Sequence, residues 1–216
     1  MAIERAGNIS AADFLPRNRS LEALREAAKS CKGCDLYLNA TQTVFGDGPG
    51  HASVMLVGEQ PGDIEDQKGE PFVGPAGRML DRALEDARIS RDQVYVTNAV
   101  KHFKWIWRGK RRLHQKPSVR QVVACRPWLE VEIEAVQPHI LVCMGATAAQ
   151  SVVGKPVAIM KERGKFIDSL LGRLTFITIH PSAILRQRDD EREQEYRRFA
   201  SEMKLVKRKL QSLSAA

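Results

Sequence analysis

The sequence predicts an α/β fold, a parallel sheet sandwiched by helices. Three observations carry that expectation. Short apolar runs alternate along the chain with segments of helical periodicity. Two of the runs, Val54-Met55-Leu56-Val57 and Ile140-Leu141-Val142-Cys143-Met144, are apolar without interruption, the pattern of strands buried on both faces. The runs also end on glycines and polar residues, and open α/β sheets hold their ligands at the carboxyl ends of their strands. With 216 residues, 43% hydrophobic and 28% charged, the chain reads as one globular domain spanning 1–216 with a sizeable core. It has no apolar run of membrane-spanning length and no signal-peptide succession at the start, so the cytoplasm is its expected place.

The elements follow in order. Residues 1–17 carry no periodic pattern and are expected to be irregular. Ser20 caps a helix whose Leu21, Leu24, Ala27 and Ala28 share one face, and which delivers the chain to Cys31-Lys32-Gly33-Cys34. In a reducing compartment such a pair is a metal or redox feature before it is a disulfide, and as metal ligands the two cysteines need others from elsewhere. A strand over about Ser53 to Val57 then enters Gly58-Glu59-Gln60-Pro61-Gly62-Asp63. There the glycines permit close backbone approach to a ligand and Pro61 stiffens the turn that carries the acid.

The same loop is expected to continue through Glu70, Pro71, Phe72, Val73, Gly74 and Gly77, since turn formers crowd this stretch. Phe72 either stacks on a flat ligand or plugs the core. A helix follows with Ala76, Met79, Leu80, Ala83, Leu84 and Ala87 as its apolar stripe. The strand Val94-Tyr95-Val96-Thr97-Asn98 ends on an amide offering both a donor and an acceptor.

After a basic segment from Lys101 to Lys116, Ser118 and Gln121 form a capping box that opens a long helix to about Val136, with Cys125 near its start. Beyond the strand at 140–144, a short helix runs to about Gly154. A strand pair, about Lys165 to Ile167 and Leu174 to Thr178, leads to Ile179-His180-Pro181-Ser182. An amphipathic helix over 190–213 closes the chain.

A net charge of +8 and a pI near 9.5 favour a polyanionic partner. The excess is concentrated in Lys101, Lys104, Arg108, Lys110, Arg111, Arg112 and Lys116, a run almost free of acids. Trp105 and Trp107 inside it either stack on exposed bases or pack the segment against the core.

Gly58-Glu59-Gln60-Pro61-Gly62, Asn98 at a strand end and His180-Pro181-Ser182 occur in that order, together with Pro71-Phe72-Val73-Gly74 and Cys31-x-x-Cys34. This set resembles the uracil-DNA glycosylase superfamily, specifically its iron-sulfur-containing family 4 branch. The insert Lys110-Arg111-Arg112-Leu113-His114 is similar to the loop of the X-type members (UdgX). The resemblance implies a four-stranded parallel sheet core sandwiched by helices in a three-layer αβα fold, and excision of uracil from DNA, with single strands favoured, by a monomer associated with the nucleoid when acting. Phe72 would stack on the extruded base, Asn98 would read its polar edge, and Gln60 and Asp63 would shape the pocket. His180 would stabilise the departing uracil anion, and Lys110, Arg111, Arg112 and Ser182 would contact DNA.

In the X-type members the histidine matching His114 attacks C1′ of the sugar and leaves protein and DNA covalently joined, with Glu59 orienting it. The resemblance also implies a [4Fe-4S] cluster. Three cysteines match its ligands, Cys31, Cys34 and Cys125, with His102 where family 4 has the remaining one. The same set of three thiols and an imidazole also suits structural zinc. Two alternatives remain: a turnover glycosylase that uses water, and a non-catalytic, metal-stapled nucleic-acid binder.

Overall fold

Uninterrupted apolar strands need cover on both faces, and the chain supplies it. The computed structural model describes residues 9–169 and 171–214. In chain order, α1 (Leu21–Ala28) precedes β1 (Val54–Gly58), α2 (Asp63–Lys68), α3 (Pro75–Asp86) and β2 (Val94–Asn98). A hairpin of β3 (Trp105–Arg108) and β4 (Arg111–His114) then leads into α4 (Val119–Val136), β5 (Ile140–Met144) and α5 (Ala146–Val153). The chain ends with α6 (Ile159–Glu162), β6 (Phe166–Ile167), β7 (Leu174–Thr178), α7 (Pro181–Leu185) and α8 (Asp189–Ser214).

The central sheet has the order β2-β1-β5-β7-β6, with the first four strands parallel. Side chains alternate between its faces, as the period-two geometry of strands requires. Val54, Leu56, Val94, Val96, Ile140, Val142 and Phe176 point to the face covered by α3, α7 and α8. Met55, Val57, Tyr95, Leu141, Cys143 and Ile177 point to the face covered by α4 and α5.

The expected four-stranded parallel core is present, and a fifth strand extends it. The two-residue β6 folds back antiparallel onto β7, pairing Phe166 with Phe176 and Ile167 with Thr175. Residues 10–14 also depart from the expected irregular segment. Ser10 caps a 3-10 turn over Ala11–Phe14, whose fully buried Ala11 packs with Cys31 and Trp128. Residues 1–8 of that expectation lie outside the described residues.

A further correction concerns the loop after β1, which contains the helix α2. Glycines and prolines bracket but do not interrupt Asp63–Lys68; acids fill its first turn and Gly69 ends it in the left-handed conformation. The basic segment, left without a predicted element, forms a hairpin. Gly109, at φ 60°, turns the chain between β3 and β4, which pair from Trp105 with His114 to Arg108 with Arg111. No helix among the described residues is long and apolar enough to cross a membrane.

Candidate active site

Four parallel strands deliver their carboxyl ends to one edge of the sheet, and the candidate residues gather there. Glu59 follows β1 and Asn98 ends β2, held level by the pairing of Gly58 with Asn98. Gly145 and Thr147 follow β5, and His180 follows β7, with Met144 paired to Thr178. Gly58 forms the floor. A Cβ there would lie 2.4 Å from Asn98 Oδ1, 2.8 Å from Phe72 Cζ and 3.4 Å from His180 Nε2, so these three side chains converge above it. Only glycine leaves that space open.

Phe72 is held firmly. Its ring stacks on His180 with centroids 6.0 Å apart, and its backbone adopts φ 59°, which a non-glycine residue holds only when its surroundings enforce it. Those surroundings are visible. The Gly74 N–H donates to the buried Glu65 carboxylate at 2.7 Å, and Gly77 leaves room for the Phe72 carbonyl, which any Cβ at 77 would overlap. Asn98 is 2% exposed, and its Oδ1 is a buried acceptor with no donor among the described residues. A buried polar atom left free in this way is what a ligand donor satisfies.

At His180 the Ser182 N–H donates to Nδ1 at 3.2 Å, so Nδ1 is the acceptor nitrogen and the neutral ring carries its proton on Nε2, the atom nearest Gly58. Burial pushes this imidazole down to about 4, partly offset by Glu59, so it is neutral at physiological pH. Ser182 Oγ also lies 2.8 Å from Nδ1 and accepts from Arg186.

Glu59 has a partner on each oxygen. Its Oε1 lies 3.3 Å from Nε2 of His114, whose side chain is 49% exposed, and its Oε2 accepts a short hydrogen bond from the Thr147 hydroxyl. Burial alone would raise the Glu59 carboxyl. The hydrogen bonds from His114 and Thr147, with the charges of His114 and His180, hold it below the usual carboxylate range.

His114 reaches Glu59 because the hairpin is bolted down. Gln60 donates from Nε2 to the carbonyls of Lys104 and Gln115 at 3.1 and 3.2 Å and accepts from the Lys104 N–H, gripping both strands at their base. Arg112 pairs with Asp63 at 2.5 Å and Asp66 at 2.7 Å, beneath the rings of Phe103 and Trp105. The side chains of Gln60, Asp63 and Arg112 are thus engaged in anchoring the hairpin. Lys110 and Arg111 stand exposed at its tip.

Beside this site, Lys101 and Glu132 form a fully buried ion pair. The ammonium also donates to Thr97 Oγ1 at 2.6 Å and the Asn98 carbonyl at 2.8 Å. Glu132 Oε1 accepts from Tyr95, Thr97 and the Gly46 N–H. Sequence reasoning did not find Thr147 or Glu132. The only local hint was a polar residue at the start of α5 and an acid on the buried side of α4.

Three of the candidate metal ligands lie in the N-terminal core. Cys31 and Cys125 are buried with Trp128 and Val131, and Cys34 packs against the same cluster. The Trp128 Nε1–H and the Lys101 N–H donate to the sulfurs of Cys31 and Cys125, each at 3.2 Å. Burial, against a smaller opposing effect of Lys101, pushes the Cys125 thiol up to about 12, so a metal would have to displace its proton.

His102 is 4% exposed and burial lowers it to about 4. Thr43 spends its one hydroxyl proton on the Ala28 carbonyl, so it accepts from His102 Nε2–H at 2.9 Å, leaving Nδ1 with a free lone pair. The donor chemistry therefore fits a thiolate-imidazole set. Among the described residues, however, no group of three or more His, Cys, Asp or Glu side chains is placed as it stands to hold a metal ion. Cys143 is remote from this set, in the sheet core on β5.

Residues 45–204 match the family model described as the uracil DNA glycosylase superfamily. The chain is 39% identical to a type-4 uracil-DNA glycosylase of Thermotoga maritima, over 81% of this chain and 88% of that protein. It is 34% identical to a type-4 uracil-DNA glycosylase of Archaeoglobus fulgidus, over 77% and 83% of the two chains. A type-5 uracil-DNA glycosylase of Pyrobaculum aerophilum is 28% identical over 62% of this chain and 63% of its own.

Proposed function

Because this chain belongs to the uracil DNA glycosylase superfamily, in its type 4-like branch, we propose that it excises uracil from DNA and becomes bonded through His114 to C1′ of the resulting sugar. The observation that carries the second half is the 3.3 Å approach of His114 Nε2 to Glu59, at the rim of the cleft lined by Asn98, Phe72 and His180.

A base inside a duplex is out of reach, so the nucleotide enters from a single strand or by extrusion. Phe72 stacks on the ring. The free Asn98 Oδ1 accepts the uracil N3–H while the amide nitrogen donates to O4, and cytosine mismatches both contacts. As the bond from C1′ to N1 breaks, its electron pair leaves with uracil, and Nε2–H of neutral His180 donates to the carbonyl on which charge grows. The Glu59 carboxylate faces the sugar cation. Attack through an unprotonated imidazole nitrogen then moves the positive charge onto the His114 ring, where Glu59 stabilises it.

Incubation with uracil-containing single-stranded DNA followed by a denaturing gel tests this reading. A slow band that survives heat and detergent is expected. Free abasic product at many turnovers would instead identify a glycosylase that uses water, a reading favoured by the solvent exposure of His114 beside Glu59.

Cys31, Cys34, Cys125 and Nδ1 of His102 would hold a [4Fe-4S] cluster, supported by the two N–H donors directed at sulfur and the free lone pair of His102. When bound, the cluster would supply a staple between the N-terminal segment and α4. The purified protein is expected to be brown with broad visible absorption; a colourless protein with stoichiometric zinc would replace the cluster by a structural ion.

Thr147 acts as a positioning residue for Glu59. Thr147→Val keeps the shape and removes the hydroxyl, so it is expected to slow adduct formation about tenfold, the order of one hydrogen bond to a charged group. Removing one of the hydrogen bonds that lower the Glu59 carboxyl raises its pKa, so the acid limb of the pH–rate profile should move to higher pH. Thr147→Ser should restore both rate and profile; an unshifted profile in the valine variant would remove Thr147 from this role.

A further inference from the structure

The two tryptophans of the hairpin have different surroundings. Trp105 is fastened: its Nε1–H donates to the Asn39 carbonyl at 2.9 Å and its ring lies over the Arg112 guanidinium. Trp107 is 64% exposed, an unusual position for the largest apolar side chain, and touches Trp105 edge to face with ring centroids 4.9 Å apart. The anchored indole thus props the exposed one in a fixed orientation.

Pairing sets where that indole stands. Trp105 lies opposite His114 and Trp107 opposite Arg112, so all four side chains share one face of the hairpin. Trp107 is the diagonal neighbour of His114, a separation of about 7–8 Å between backbone positions. At the hairpin end beside it Lys110 is exposed, as are Arg108 and Arg111, which pair with each other on the opposite face, and no acid occurs between Lys101 and Lys116. An exposed indole among unopposed cations suits a ligand that is both polyanionic and aromatic, with its bases unpaired. Duplex DNA offers the charge without the free base faces.

We propose that Trp107 is a stacking platform for the base adjoining the nucleotide engaged by Glu59 and His114, so that the hairpin holds single-stranded DNA through one stacked neighbour and its flanking phosphates. This rests on the glycosylase reading for the identity of the engaged nucleotide, while the stack itself is measurable as binding. The indole supplies affinity with little sequence preference, because every base has a π-face, and the cations supply the salt dependence.

The test compares the native chain with Trp107→Ala and Trp107→Phe, using single-stranded oligonucleotides that carry one uracil. Two further oligonucleotides have the base on one side or the other of the uracil replaced by an abasic spacer. DNA affinity is followed by intrinsic fluorescence and anisotropy, and adduct formation by denaturing gel.

For Trp107→Ala, about tenfold weaker binding is expected. The slope of affinity against salt should stay unchanged, as should the maximal adduct rate at saturating DNA, and Trp107→Phe should retain most of the affinity. With the spacer on one side, the native chain should fall to the level of Trp107→Ala and the variant should lose nothing more. Equal binding by native and Trp107→Ala chains would overturn the proposal. So would a loss that persists undiminished with either spacer. Failure of the glycosylase reading would appear separately, as a native chain that binds these oligonucleotides through Trp107 yet releases no uracil.

Discussion

His114→Ser is expected to abolish the heat-stable protein–DNA band completely while uracil release continues. Among the described residues, those proposed to act on the base have other partners: Lys101 binds the Asn98 carbonyl and Ser182 holds His180. Glu59 keeps its second partner, Thr147. What the substitution removes is a ring with a half-exposed side chain, at the mouth of the site, so water enters the gap beside the Glu59 carboxylate. A carboxylate beside water is the arrangement that hydrolyses a glycosidic bond with release of product.

The variant should therefore turn over, with free abasic DNA accumulating beyond one equivalent per protein. Because the ring packs loosely against Phe103, with centroids 6.2 Å apart, the change should leave thermal stability nearly untouched. A persistent covalent band in His114→Ser would exclude His114 as the point of attachment. Loss of both band and uracil release, in a protein that melts normally, would mean that the imidazole is needed before the glycosidic bond breaks.

The parallel strands and their chemistry-bearing ends were legible because both are local signals. Val54–Val57 and Ile140–Met144 are apolar throughout, and a strand end is where a parallel sheet puts its site. The capping box of Ser118 and Gln121 was equally readable, and it forms in full. The hairpin was obscured by charge: Trp105–Arg108 and Arg111–His114 show no apolar–polar alternation, and seven cations across this stretch mask the glycine turn between them. The helix α2 was hidden by the glycines and prolines around it.

Site composition was legible in part for a different reason. Glu59, Asn98 and His180 stand beside glycine, strand and proline markers. By contrast Thr147 meets Glu59 across 88 positions, and Arg112 meets Asp66 across 46. No local pattern reports such pairs. The sequence also left open whether the tryptophans pack or project, and the anchored, half-buried Trp105 beside the exposed Trp107 resolves it residue by residue.

The fully buried ion pair carries the second large effect: Lys101→Met is expected to destabilise the fold by about 3–5 kcal/mol, because it leaves the Glu132 carboxylate buried without its counter-charge. For a chain of this length that is a fall of roughly 10 °C in Tm. The loss should exceed that of any surface ion pair here, since exposed pairs such as Lys29 with Glu26 are screened by water and contribute little. The lysine also reaches the site. Its ammonium binds the Asn98 carbonyl and its backbone N–H binds Cys125, so one residue ties the strand end that carries Asn98 to the thiol-bearing helix.

Lys101→Met should accordingly weaken discrimination between uracil and cytosine as well as lower Tm. Lys101→Met combined with Glu132→Leu should recover a large part of the stability, because the orphaned charge is removed with its partner. That double variant should recover little of the discrimination, since the donor to the Asn98 carbonyl is still missing. A single Lys101→Met variant that melts within about 2 °C of the native protein would mean that water or another cation reaches Glu132, and that the pair does not hold the strand end in place.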